Sequence, residues 1–326
     1  MVTIRSCRKC SKYNNFSICR NMLYYIVYPF WYLVSLLPLG MLYAVSDALY
    51  PLVYHIGRYR RKIVRKNLTL SFPERGLSEI IRIEKAYYRW FCDYIVESLK
   101  MLSMPKDEMM RRMQFEGCEQ IEACFDEGHP VSVYLGHYCN WEWITSLPLH
   151  VRHGICAQIY HPIENKKFDE LFLKLRGRFG AVSIAKDDTL RAVLTWKRDK
   201  KMNVIGYIAD QVPGLANVHL WVDFLHHDTP VFSGAEKITV KTHADVFYAD
   251  IVRTRRGYYR CTFRPMKPEG EYQEFFYTKE YFRLLEQSIQ KVPQYWLWSH
   301  NRWKRTREQF NRDYNPEEQA KMLAHL

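Results

Sequence analysis

Hydrophobic and polar positions divide the chain into three stretches. Residues 21–46, NMLYYIVYPFWYLVSLLPLGMLYAVS, carry no charge between Arg20 and Asp47. A helix of this length, at ~1.5 Å rise per residue, could cross a hydrocarbon core of ~30 Å. Pro29 and Pro38 would kink it, and Tyr24, Tyr25, Tyr28, Trp31 and Tyr32 suit a membrane–water interface. A transmembrane anchor, a deep interfacial helix and a buried soluble helix are the three readings. The length of the run and the lack of a small-residue cleavage site argue against a cleaved signal peptide.

Residues 47–72 read as basic and helical, closing at Ser71-Phe72-Pro73. Residues 78–102 place Ile80, Ile83, Tyr87, Trp90, Phe91, Tyr94, Ile95 and Leu99 on one broad helical face. Beyond residue 129, short apolar runs alternate with helical spacing. Strands are predicted at 131–136, 155–160, 181–185 and 203–209, with helices at 141–150, 164–178 and 188–199 between them. Further strands fall at 218–225, 246–253 and 258–264, and helices at 234–243 and 274–291. The alternation predicts an α/β fold with a mainly parallel central sheet flanked by helices. The chain divides into a basic tail (1–20), a membrane anchor or interfacial helical segment (21–57) and an α/β domain (58–326).

Composition narrows the partners. The 326 residues are 48% hydrophobic, too apolar for a chain that is mostly disordered. The net charge of +13 points to an anionic partner such as a phosphorylated lipid, an anionic membrane surface, an acidic carrier protein or nucleic acid. Arg5, Arg8, Lys9, Lys12 and Arg20 precede the apolar run and Arg58, Arg60, Arg61, Lys62, Arg65 and Lys66 follow it. The second cluster is placed to lie on anionic headgroups. Nine scattered cysteines, an odd number, read as thiols of a reduced compartment. Cys7, Cys10 and Cys19 supply three ligands of a zinc site but no fourth lies near, and no metal is expected.

Gly136-His137-Tyr138-Cys139-Asn140-Trp141-Glu142 sits where a predicted strand gives way to a helix, the place where sites gather in open α/β sheets. On one continuous helix His137 and Glu142 would be ~140° apart. To interact, His137 must lie in the turn and Glu142 in the first helical turn. A carboxylate on one imidazole nitrogen fixes the tautomer, so that the other can take a proton from a hydroxyl. By itself the spacing is a weak signal, and a structural histidine with a solvated glutamate is the favoured reading of the pair. Ala209-Asp210-Gln211 follows another predicted strand. Trp296-Leu297-Trp298-Ser299-His300-Asn301-Arg302-Trp303-Lys304 interleaves aromatics with cations, as a nucleic-acid patch, a lipid-facing rim or a core edge would.

In order and spacing, these blocks resemble the late (secondary) acyltransferases of lipid A biosynthesis, the lauroyl/myristoyl transferases. That group lies within the glycerolipid-type acyltransferases that share a His-x4-Asp/Glu motif. The resemblance runs from Arg65-Lys66-Asn67-Leu68-Thr69-Leu70-Ser71-Phe72-Pro73-Glu74 through the His137 block, Ala209-Asp210-Gln211 and Thr229-Pro230-Val231-Phe232-Ser233-Gly234 to Pro293–Lys304. It implies transfer of a fatty acyl group from an acyl-carrier-protein thioester to a hydroxyl of a lipid A precursor. His137 would be the general base and Glu142 its orienting carboxylate. Cys139 would not be a nucleophile. Asn140, Trp141, His161, Arg176, Arg178, Asp210, Gln211 and Arg302 would bind substrate, with Asp210 alternatively orienting an arginine or holding the site together.

The resemblance implies no cofactor and no nucleic-acid partner. The enzyme would sit at the cytoplasmic (inner) membrane with its catalytic domain facing the cytoplasm. Two departures stand out. Tyr160-His161-Pro162 has a histidine where the family often has arginine, leaving Arg176 or Arg178 to bind phosphate. His226-His227 carries two histidines where other residues are usual; adjacent side chains point apart, so the pair is a poor metal site. A glycerophospholipid or aminolipid acceptor, a coenzyme A donor and a non-catalytic lipid-binding protein are the alternatives.

Overall fold

The computed structural model describes residues 24, 25 and 27–323. The cysteines of the tail, Cys7, Cys10 and Cys19, lie outside these. Seven strands form the main sheet: β1 (Met113–Glu116), β2 (Val131–Leu135), β3 (Ile155–Tyr160), β4 (Val182–Ala185), β5 (Asn203–Ile208), β8 (Asp245–Arg255) and β9 (Tyr258–Pro265). Their order is β1-β9-β8-β2-β5-β3-β4. The run β8-β2-β5-β3-β4 is parallel throughout, and only the β8–β9 hairpin is antiparallel. The expected α/β fold with a mostly parallel sheet is thus present.

A buried parallel sheet needs both faces covered, and β2, Val-Ser-Val-Tyr-Leu, is buried along its whole length. Alternation sends its side chains two ways. On one face Val133, Leu135, Val204, Gly206 and Ile208 look toward a 3-10 segment, Trp141–Leu149. On the other, Ile205 and Tyr207 pack with Val193 of an α-helix, Thr189–Arg198, and Ile238 of a second, Gly234–Thr242. Tyr134 meets Tyr281 of a third helix, Phe276–Lys291.

Two strands fall outside the expected ones, β1 and the second strand of a hairpin whose first strand matches the expected 218–225. β1 is a four-residue edge strand beside β9. β6 (Leu220–Phe224) pairs with β7 (His227–Val231) in a hairpin outside the main sheet. Its two-residue turn, Leu225-His226, has positive φ at both positions, 53° and 62°. Such turns normally carry Asn or Gly, and Pro230 further disguises β7 as a loop.

The apolar N-terminal run is interrupted. Residues 27–36 are helical, the helix stops at Leu37-Pro38, and a second, Leu39–Pro51, begins. Pro38 has no N–H to donate and clashes within a continuing helix. Lys100 Nζ donates to the carbonyls of Ser35 (2.9 Å) and Leu37 (3.0 Å), satisfying the broken end. Among the described residues no helix is long and apolar enough to cross a membrane. Nine large apolar residues between 25 and 56 are exposed: Tyr25, Phe30, Tyr32, Leu33, Leu36, Met41, Val45, Leu52 and Ile56.

The long helix Leu77–Lys100 fastens this region to the sheet through buried carboxylates. Glu84 accepts from Tyr54 (2.9 Å) and pairs with Arg61 and Arg65. Asp93 accepts from Ser46 and pairs with Arg253 and Arg256. Glu97 accepts from Tyr43, Asn140 and Tyr259. Burial raises the Glu97 carboxyl above its ordinary range, although Arg253 and the three donors oppose it.

Candidate active site

The pairing register builds the site. Leu135, the last residue of β2, lies opposite Ile208, the last of β5. His137 and Asp210 therefore each follow the end of a neighbouring parallel strand by two residues. From β2 the chain crosses toward β3, and from β5 it goes on to β8 on the other side of β2. The carboxyl ends of strands whose connections diverge in this way leave a crevice where ligands bind.

In that crevice His137 Nδ1 lies 2.6 Å from Asp210 Oδ1. Asp210 Oδ2 accepts the His137 backbone N–H (2.9 Å) and the Trp296 indole N–H (2.8 Å). Asp210 is buried, which by itself would raise its pKa. The His137 imidazole and the donated hydrogen bonds outweigh burial and hold it down at about 2. An ionised Asp210 accepts from Nδ1–H, so Nε2 carries the lone pair. The Gln211 amide nitrogen stands 3.1 Å from that Nε2 and donates to it.

Glu142 has a different partner. Both its oxygens accept from Arg176, Nε at 2.9 Å and Nη2 at 2.7 Å, in a bidentate pair. The orienting contact expected between Glu142 and His137 is thus divided into two pairs, His137 with Asp210 and Glu142 with Arg176. Trp141 links them physically. Its ring meets His137 edge-on at 5.0 Å and stacks on Tyr94 at 4.3 Å. The short separation in sequence made Glu142 conspicuous, whereas Asp210 reaches His137 only through the sheet.

The other expected binding residues separate by environment. Asn140 is buried, donates to Glu97 (2.7 Å) and caps the backbone N–H of Trp143 (3.2 Å), so it shapes the turn. Arg178 donates to the carbonyls of Leu102 and Met104, fastening a loop. His161 is exposed beyond the end of β3. Arg302 is fully buried and donates to the Pro230 carbonyl (2.8 Å). Burial lowers its pKa to about 10 and Asp210 opposes that shift, so it remains a cation in the wall of the site. Its Nε and Nη1 have no hydrogen-bond partner among the described residues. Burial drives His300 down to about 4, so this neighbour is neutral at pH 7.

The turn after His137 is pinned from the far end of the chain. The His137 carbonyl accepts from Leu297 N–H (3.1 Å), Cys139 N–H donates to Tyr295 (2.8 Å), and Tyr138 bridges to Trp296. The Tyr295–Leu297 stretch of the aromatic-cationic block is therefore a structural brace. Cys139 itself is fully buried, and burial pushes its thiol well above the usual range. A thiol held protonated and out of reach is a poor nucleophile. Cys139→Ser is expected to retain acyl transfer per folded molecule while lowering the melting temperature, as rates and thermal unfolding will show. Among the described residues no group of three or more His, Cys, Asp or Glu side chains could hold a metal.

A histidine held by a buried carboxylate at the ends of two neighbouring parallel strands has the geometry to take a proton from a hydroxyl. The chain matches the family described as bacterial lipid A biosynthesis acyltransferase over residues 9–305. It belongs to that family and is an acyltransferase of lipid A biosynthesis. It is similar to a lipid A biosynthesis palmitoleoyltransferase of Escherichia coli (strain K12), 22% identical over 285 residues, covering 82% of this chain and 89% of the relative. A lipid A biosynthesis acyltransferase of Shigella flexneri matches with the same figures.

Proposed function

We propose that this enzyme moves a fatty acyl group from an acyl-carrier-protein thioester to a hydroxyl of a lipid A precursor at the cytoplasmic membrane. His137 acts as general base, and the Asp210–His137–Gln211 array is the observation that carries the reading. Nε2 takes the proton of the acceptor hydroxyl. The oxygen bonds to the thioester carbonyl carbon, and the carbon–sulfur bond breaks. The imidazolium then returns its proton to the departing thiolate, so each product leaves with its own hydrogen. Asp210 holds the imidazole in the required tautomer and stabilises its cation. The Gln211 amide is within reach to steady the incoming hydroxyl. Arg176, aligned by Glu142, offers charge to a phosphate of the acceptor.

Membrane attachment is supported by the exposed apolar side chains of residues 25–56 and the exposed cations Arg58, Arg60, Lys62 and Lys66 that follow. Apolar residues beside a basic cluster suit the boundary between acyl chains and anionic headgroups. A cytoplasmic face is supported by the free thiols Cys92, Cys118, Cys124, Cys139, Cys156 and Cys261.

Mass spectrometry of lipid A from cells with and without the gene tests the reading. One fatty acyl mass is expected to disappear on deletion, to return with the wild-type gene and to stay absent with His137→Ala. Unchanged lipid A on deletion, or restoration by His137→Ala, would overturn it.

A further inference from the structure

The helix Leu39–Pro51 faces two ways. Met41 and Val45 are exposed, whereas Leu42 and Ser46 are buried and Tyr43 turns inward toward the long helix Leu77–Lys100. Two hydroxyls cross between the helices. Ser46 donates to Asp93 (2.8 Å), whose other partners are Arg253 and Arg256. Tyr43 donates to Glu97 Oε1 (2.8 Å). A Cβ at Gly257, in the β8–β9 turn, would overlap the Tyr43 hydroxyl, so the glycine leaves that hydroxyl its place.

Glu97 is fully buried, and the other side of its carboxylate holds the active-site turn. Oε2 accepts from Asn140 (2.7 Å) and from Tyr259 of β9 (2.8 Å), and the Glu97 backbone carbonyl accepts from the Trp143 indole (3.3 Å). One residue thus grips both ends of the segment 140–143. Between them lie Trp141, which meets the His137 ring, and Glu142, which aligns Arg176. The turn needs such a grip. Cys139 has φ of 52°, a left-handed conformation that a non-glycine residue keeps only when its surroundings impose it. A carboxylate suits the task because it only accepts, and its two oxygens serve all three side-chain donors. An amide would turn its own N–H₂ toward one of them. Burying a carboxylate is costly unless its oxygens are satisfied, so the loss of one donor shifts it against the others.

We propose that Glu97 is a positioning residue for acyl transfer, which locks the turn carrying His137 to the helix Leu39–Pro51 and so makes the rate of transfer depend on the seating of that helix at the membrane. The inference rests on the acyl-transfer and membrane-attachment readings above. The path has two legs, Tyr43 to Glu97 on the membrane side and Glu97 to Asn140 on the side of the base. Asp93 provides an internal comparison, since it fastens the same helix without reaching the turn.

The experiment compares wild type, Tyr43→Phe and Ser46→Ala in steady-state transfer to a lipid A precursor in vesicles of phosphatidylethanolamine and phosphatidylglycerol. Tyr43→Phe keeps the ring and removes only the donor to Glu97. It is expected to lower kcat about tenfold, the scale on which small misplacements of reacting groups act, with KM and vesicle binding within about twofold. Ser46→Ala removes the hydroxyl that leads to Asp93, and its kcat is expected to stay within about twofold of wild type. That contrast separates positioning from a general loosening of the helix. Equal losses of kcat in the two variants, or wild-type kcat in Tyr43→Phe, would overturn the proposal. Hydrogen exchange at the amides of residues 139–143 supplies a readout that needs no turnover. Vesicles are expected to slow it in wild type and Ser46→Ala, and to leave it unchanged in Tyr43→Phe. A wild-type response in Tyr43→Phe, or no response in wild type, would overturn the coupling. If the wild-type enzyme adds nothing to lipid A, the acyl-transfer reading fails separately, and the exchange measurement still decides whether Glu97 couples helix to turn.

Discussion

His137→Ala and Asp210→Asn are each expected to lower acyl transfer by about 10²–10⁴-fold, the usual worth of a positioned general base. The alanine variant removes the proton acceptor. The asparagine variant acts more subtly. The Asn amide is nearly the size of the carboxylate, so the contacts from His137 N–H and Trp296 can survive through its oxygen. The amide nitrogen can then face Nδ1, favouring the tautomer with the proton on Nε2, which cannot act as a base. A protein that melts like wild type but transfers poorly is therefore expected. Steady-state rates with thermal unfolding check this, and Asp210→Asn within about threefold of wild type would end the assigned role. The pH dependence has a definite sign. The Asp210 pKa is about 2 when folded, below its ordinary 3.8. It thus favours the folded state above the ordinary carboxylate range, and the contribution is lost as pH falls toward 2. Asp210→Asn should remove that part of acid unfolding, measurable as a shallower loss of stability between about pH 4 and 2.

The sequence made six of the seven strands of the main sheet legible, all but the short edge strand β1, because period-two and apolar runs reflect burial directly. β2, β3 and β5 fall within one residue of their expected bounds. Gly136–Glu142 and Ala209–Gln211 were legible as strand-end motifs for the same reason. Which carboxylate faces His137 was not legible, because strand order is a property of the whole sheet. β5 is the third strand after β2 along this stretch of chain, yet it pairs directly with β2, and that adjacency delivers Asp210. Nor could spacing distinguish Arg176 from Arg178. The two differ by one intervening glycine, but one faces Glu142 and the other two loop carbonyls. The break at Pro38 was visible as a kink, whereas its capping by Lys100, a long way along the chain, was not.

Glu142→Ala and Arg176→Ala should each lower kcat/KM by about 10–100-fold, and the double variant should be little worse than either. This follows if Glu142 acts by aligning Arg176, because residues in one pair do not contribute additively. If Glu142 instead oriented His137 directly, Glu142→Ala would match His137→Ala and Arg176→Ala would be much milder. The two arrangements therefore predict different double-mutant cycles. Stability must be followed in parallel. The Glu142 side chain is only 7% exposed, and Arg176→Ala leaves its charge without the bidentate partner. Breaking a buried pair costs about 3–5 kcal/mol, and the 24% exposure of Arg176 reduces that figure here. Arg176→Lys separates charge from geometry. It retains the cation but loses the planar fork that meets both carboxylate oxygens. A lysine variant as impaired as the alanine variant would assign Arg176 to geometric recognition, and a nearly active one would show that a point charge at the edge of the site suffices.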